Sequence, residues 1–240
     1  MPSTQTVPKS NRLLAALPVQ DRERLLGQCE SVELGFSEVL YCAGESIPHV
    51  YFPTDSFISL VTPIDSDGGL EIGLIGNEGM LGITLTLEEH IAPFHALIQG
   101  AGAALRIATP LFLQELAQST ALQLELKRYL FVFMSQLAQT AACTRFHVLE
   151  ARLARWLLMT QDRAHADTFH VTHVFLAYML GVRRVGITKA ANSLQKQHLI
   201  SYRRGDVTIL DREGLEAASC GCYLAEKATY ERVLGSGRQK

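Results

Sequence analysis

No proline or glycine occurs between residues 111 and 181 of this 240-residue chain, although both punctuate the residues before it and glycines return from Gly181 onward. A stretch without either residue propagates helix with nothing to stop it. Apolar residues recur inside it at Leu122, Leu126, Tyr129, Phe133 and Leu137, three- and four-residue steps that keep one stripe on one helix face. The spacing predicts a helix from near residue 113 to near residue 140, about 40 Å long. A helix of that length buries one stripe on its own domain and leaves another for a partner. Leu122, Leu126, Tyr129 and Phe133 are accordingly assigned to a homodimer seam, the competing reading being the internal core of one monomer. A second helix is expected over residues 147–163, and the polar run QDRAHAD after it reads as a loop.

The residues in front follow a different period. SVELGF, EVLYC, HVYF, FISLVTPI, LEIGLI, HALIQ and AALRIA are short β-type runs separated by Gly, Pro and Asp turns, including Asp65-Ser66-Asp67-Gly68-Gly69 and Gly76-Asn77-Glu78-Gly79. Seven such runs at near-regular spacing favour a β-sandwich or barrel. Before them, residues 11–29 read as a short helix pair broken at Pro18, with Asp21 as an early cap. The fold class is therefore α+β, in three parts: residues 11–110, 111–145 and 146–224. Residues 235–240 read as a frayed tail.

The third part carries the informative motif. In His173-Val174-Phe175-Leu176-Ala177-Tyr178-Met179-Leu180-Gly181-Val182-Arg183-Arg184-Val185-Gly186-Ile187-Thr188-Lys189-Ala190-Ala191-Asn192, Ala177 and Gly181 supply the small residue and the turn glycine that a steeply packed helix-turn-helix needs. Leu176, Leu180, Val182, Ile187 and Ala190 face inward, and Thr172 is placed to cap the first helix and is counted among the DNA-contacting residues. Arg183, Arg184, Val185, Thr188, Lys189 and Asn192 fall outward on the second helix, where such side chains reach phosphates and base edges. Two alternating runs, LISY and VTIL, then flank Arg203-Arg204-Gly205-Asp206, which predicts a β-hairpin with a basic tip in the position of a wing.

Charge follows the same division. Residues 1–110 hold 5 Lys and Arg against 13 Asp and Glu, whereas residues 111–240 hold 17 against 11. Only the second part suits a polyanion. The apolar runs are too short for a membrane span, and the amino-terminal apolar stretch is too interrupted for a secretory segment. Cys29, Cys42, Cys143, Cys220 and Cys222 form no disulfide framework, which fits a reducing cytoplasm. The pair Cys220-Gly221-Cys222 lacks a second cysteine or histidine cluster at zinc-site spacing, so the sequence assigns no metal ligand and no cofactor. No nucleophile–base pair or carboxylate pair can be assembled either, which argues against an enzyme.

The order of acidic β-domain, long helix and winged helix-turn-helix resembles the Crp/Fnr family of bacterial transcription regulators over almost the whole chain. The closest match is VTHVFLAYMLGVRRVGITKAANSLQKQHLISYRRGDVTILDREGLE, and the front half resembles the cyclic-nucleotide-binding-like jelly roll through Gly76-Asn77-Glu78-Gly79-Met80-Leu81-Gly82. The resemblance implies a homodimer on inverted-repeat double-stranded DNA, in contact with RNA polymerase, with residues 183–194 in the major groove and Arg203 and Arg204 on the backbone. It also marks departures. Leu81-Gly82-Ile83-Thr84 carries isoleucine where cyclic-AMP-binding members carry a ribose-binding carboxylate, and Ile91-Ala92-Pro93-Phe94 lacks their Arg and hydroxyl pair. Cys29 and Cys42 alone cannot hold an iron–sulfur cluster, and His49, His90 and His95 are isolated candidates for a haem ligand. Among the base-facing positions, Arg184, Val185 and Lys189 stand where the family has Arg, Glu and a later Arg. The implied function is transcription regulation independent of cyclic AMP, with an unidentified small-molecule effector left open. The competing reading is a ligand- or redox-sensing protein whose DNA-binding domain is vestigial.

Overall fold

The computed structural model describes residues 10–64 and 68–235. The interrupted apolar stretch of the amino terminus therefore lies partly outside the described residues, as do residues 65–67 of the expected turn and residues 236–240 of the tail.

Helix α1 (Arg12–Ala15) begins at Asn11, whose side chain accepts from the backbone N–H groups of Leu13 and Leu14. The same side chain donates to the carbonyls of Pro53 and Gly79, so one buried amide both caps the helix and ties it to the β-domain. Helix α2 (Val19–Leu26) starts after Pro18. Asp21 sits inside its first turn and pairs with Arg24 at 2.8 Å rather than capping it.

All seven apolar runs form strands: β1 (Glu30–Leu34), β2 (Val39–Tyr41), β3 (His49–Pro53), β4 (Phe57–Ile64), β5 (Gly68–Ile75), β6 (His95–Gly100) and β7 (Gly102–Ala108). They make two antiparallel sheets, ordered β1-β7-β3 and β2-β6-β4-β5. Val50, Phe52, Ile58, Ile98 and Ile107 fill the core between them.

The long helical region is broken where the sequence predicts continuity. Helix α3 (Thr109–Gln118) ends at Ser119, whose backbone is extended and whose hydroxyl accepts from the N–H of Leu122. That cap starts α4 (Thr120–Phe146), a helix of 27 residues and about 40 Å. Helix α5 (Leu149–Ala164) follows, and β8 (Thr168–His170) occupies a segment the sequence left unassigned. The helix-turn-helix is α6 (His173–Met179) and α7 (Arg184–Lys196); the wing is β9 (Ile200–Arg203) and β10 (Asp206–Ile209). Helices α8 (Arg212–Ala218) and α9 (Cys222–Leu234) end the described chain, and α9 runs back along α4, with Tyr230, Val233 and Leu234 joining the front core.

A second core holds the rear domain together around Leu153, Trp156, Leu176, Ile187, Leu194, Val207 and Leu215. It also takes in Phe57, Val61 and Leu74 from the front sheet, so the two domains share apolar packing. No helix among the described residues is long and apolar enough to cross a membrane.

Candidate nucleic-acid interface

Thr172 caps α6, accepting from the N–H of Phe175 at 3.1 Å. Gly181 turns the chain with φ +62°, and a Cβ there would lie 3.2 Å from Leu70 of the front sheet. Glycine is favoured at that corner by its left-handed backbone conformation, and a Cβ would in addition press on the end of the Leu70 side chain. Leu176, Ile187, Ala190, Ala191 and Leu194 are buried between the helices, so α7 presents one fixed face outward. Arg184, Val185, Lys189 and Asn192 stand exposed on that face, with Arg183 just before the first turn. Their spacing follows the helical period, which brings them together in space.

Thr188 is the exception among the expected contacts. It is half-buried, and its hydroxyl meets His173 Nδ1 at 3.1 Å. The His173 ring stacks on Tyr202 of β9, whose hydroxyl donates to the carbonyl of Val171 at 2.5 Å. Thr188 thus locks α7 to α6 and the wing. Burial, and then the neighbouring Arg184 cation, push His173 below its ordinary pKa, which keeps the ring neutral in this packing.

The wing is a tight hairpin. Arg203 pairs with Asp206 across a two-residue turn in which Arg204 and Gly205 both have positive φ. Arg203 and Arg204 are exposed at its tip, and β8 pairs with β10 to stiffen its other edge.

The front domain offers no comparable polar face at its expected cleft. Leu81, Ile83, Leu85 and Ala92 are buried, and the space beside them is about 20 Å³, room for about one water molecule. Pro93, Phe94 and Phe133 line it, and no cation does. A larger cavity of about 390 Å³ lies between the domains, lined among others by Arg12, Glu78, Tyr129, Arg163, Tyr223 and Lys227.

Two sequence assignments change. Leu122, Leu126, Tyr129 and Phe133 are only 2%, 0%, 4% and 5% exposed because they pack on the chain's own β-domain, so they are not a free stripe for a partner. The helix surface left open carries Leu124, Phe131 and Met134, at 50%, 50% and 59% exposure. The thiol pair Cys220 and Cys222, left without ligating company by the sequence, is joined in space by Cys143 and His147 from α4 and its end.

A β-sandwich, a long helix and a rigid winged helix-turn-helix with an exposed basic face define the class of this protein. Residues 151–218 match the family model described as the Crp-like helix-turn-helix domain. No curated protein matches the chain. Solved structures do. A Crp/Fnr-family regulator from Eubacterium rectale is 14% identical with a TM-score of 0.69, covering 86% of this chain and 96% of its own. The c-di-GMP responsive global regulator CLP of Xanthomonas campestris is 18% identical with a TM-score of 0.66, covering 80% and 99%. FixK2 of Bradyrhizobium japonicum is 11% identical with a TM-score of 0.68, covering 80% and 98%. The chain carries a Crp-like helix-turn-helix domain and has the fold of the Crp/Fnr transcriptional regulators.

Proposed function

We propose that this chain is a homodimeric, sequence-specific DNA-binding transcription regulator that works without cyclic AMP. The observation that carries the reading is the outward face of α7, where Arg184, Val185, Lys189 and Asn192 project from a helix locked on its other side. Each subunit inserts α7 into the major groove of one half of an inverted repeat. Arg184 has the planar fork that matches guanine O6 and N7, and Val185 suits a thymine methyl rather than a cytosine amino group. Arg203 and Arg204 lie on the phosphate backbone, where charge acts and sequence does not. The DNA-bound dimer then meets RNA polymerase in the cytoplasm.

The small apolar cleft supports independence from cyclic AMP, because a phosphate needs a cation or several donors once it leaves water. An effector of the usual ligand-pocket size is accommodated by the 390 Å³ cavity instead. For the dimer seam, Leu124, Phe131 and Met134 replace the inward stripe.

Selection from a random duplex pool tests the reading. An inverted-repeat consensus is expected, and a chain that retains no duplex at low salt would overturn it. Calorimetry revealing a micromolar cyclic AMP site would remove the independence. Phe131→Glu with Met134→Glu is expected to give a monomer in sedimentation; a persistent dimer places the seam elsewhere.

A further inference from the structure

Cys143 lies in the last turn of α4, and His147 is the residue that ends it. Cys220 precedes α9 and Cys222 is its first residue. Chain segments more than seventy residues apart therefore deliver three thiols and an imidazole to one point, and their ligand atoms all lie within 4.8 Å of one another. Cys143 Sγ and Cys220 Sγ are 3.4 Å apart, as are Cys222 Sγ and His147 Nδ1. All three cysteines are free and buried, while His147 is exposed.

We propose that Cys143, His147, Cys220 and Cys222 form a Cys3His site for a single zinc ion. A tetrahedral ion bound at about 2.3 Å to sulfur and about 2.0 Å to nitrogen sets its ligand atoms about 3.8 Å apart for sulfur pairs and about 3.5 Å for sulfur and nitrogen. The observed pairs at 3.4 Å sit within a few tenths of those edges, and the 4.8 Å limit keeps the remaining edges from exceeding them by more than about 1.3 Å. Soft thiolates with one imidazole select zinc over the oxygen-seeking cations. In an iron–sulfur cluster the four ligands are divided among two or more iron atoms, which spreads them beyond one ion's shell. A disulfide between Cys143 and Cys220 leaves the approach of Cys222 and His147 unexplained.

The surroundings suit a structural centre. Gln139 Nε2 donates to Cys222 Sγ at 2.9 Å, orienting that ligand from one helical turn before Cys143. Arg155, buried next to this region, is held by Glu226 of α9 and Thr140 of α4. Three thiolates and one zinc ion carry a net charge of −1, which the half-buried Arg152, unpaired with any carboxylate among the described residues and within the field of Cys143 and Cys220, balances. On binding, each thiol gives up its proton to solvent, so affinity rises with pH. The ion joins the end of α4, the corner into α5 and the start of α9. Arg152, from the next turn of α5, donates to the carbonyl of Leu180 at the helix-turn-helix corner. Zinc here pins the recognition domain to the long helix.

The test uses the full chain purified anaerobically under reducing conditions. Elemental analysis is expected to find about one zinc per chain. Cobalt(II) exchanged into the wild-type protein is expected to show the visible bands of a tetrahedral site with thiolate charge transfer, a readout that needs no variant. His147→Ala, at an exposed position, and Cys222→Ser are each expected to weaken metal binding about tenfold or more. Zinc added to chelator-stripped protein is expected to slow amide exchange in α9. The proposal is overturned by a wild-type chain with free thiols that takes up neither zinc nor cobalt at micromolar metal. A Cys143–Cys220 disulfide in the anaerobic preparation, iron with inorganic sulfide, or undiminished affinity in both variants overturns it equally.

Discussion

The cations inside the molecule and those on α7 and the wing are used in opposite ways. Arg155 and Arg163 each hold a carboxylate, Glu226 at 2.8 Å and Glu78 at 2.6 Å, and the half-exposed Arg212 holds Asp162 at 2.7 Å at their margin. The first two tie α5 to α9 and to the Gly76-Asn77-Glu78-Gly79 loop of the front domain. Arg183, Arg184, Lys189, Arg203 and Arg204 have no ion-pair partner among the described residues. A paired interior cation fixes one element against another; an unpaired row on a rigid face keeps its charge for something outside. The difference separates residues that maintain the fold from residues that use it.

The largest effect is expected from breaking an interior pair. Arg163→Ala leaves Glu78, a side chain only 16% exposed, without its cation, and should cost about 3–5 kcal/mol in a denaturant titration. An unchanged midpoint would erase the distinction between the two cation sets.

A buried acid gives the next effect. Glu71 accepts from the Ser59 hydroxyl at 2.7 Å, and Ser59 also meets Gln99 Oε1, which ties the cluster through Gln99 Nε2 to Thr160 of α5. One hydroxyl proton cannot serve both acceptors, whereas a protonated Glu71 can donate to Ser59 and free it to donate to Gln99. Burial raises the Glu71 carboxyl from 4.5 to about 7, against the opposing hydrogen bond from Ser59. The folded chain keeps a proton that the unfolded chain releases over that window. Stability should therefore fall as pH rises from about 4.5 to 7, by on the order of 3 kcal/mol. Glu71→Gln should flatten that slope, measured as the unfolding midpoint against pH.

Arg184→Ala should leave stability within about 0.5 kcal/mol. It should cost about 1–3 kcal/mol of DNA affinity per half-site and relax preference at one base pair. Titrations against single-base variants of the selected site decide this, and a uniform loss would take Arg184 off the base edge. The smallest effect is reserved for the wing. Arg204→Ala should weaken selected and random duplexes alike and lower the salt slope by about one per subunit.

Local chemistry made much of this legible in the chain itself. The seven strand runs, the cap at Thr172, the corner at Gly181 and the turn at Arg204-Gly205 depend on residues within a few positions of one another, and the structure keeps each of them. The break at Ser119 was equally local: a serine hydroxyl three residues before a helical N–H is a cap, but the surrounding apolar period obscured it. Helix α9 was missed although Tyr223, Tyr230 and Leu234 recur at helical spacing.

Other features had no local signature. Helix α4 is apolar on two sides, Leu122-Leu126-Tyr129-Phe133 and Leu124-Phe131-Met134, and a period of 3.6 residues describes both stripes equally well. Which stripe turned inward depended on the shape of the β-domain it had to cover. Likewise, Cys143 and His147 share a helix end, and Cys220 and Cys222 flank one glycine, but neither pair alone completes a metal's coordination shell. Sequence determined the elements, the turn chemistry and the basic face, because short-range sterics and hydrogen bonding set them. Tertiary structure alone decided the buried stripe and the convergence of the four ligands, because both follow from packing α4 against the sandwich and α9 back against α4.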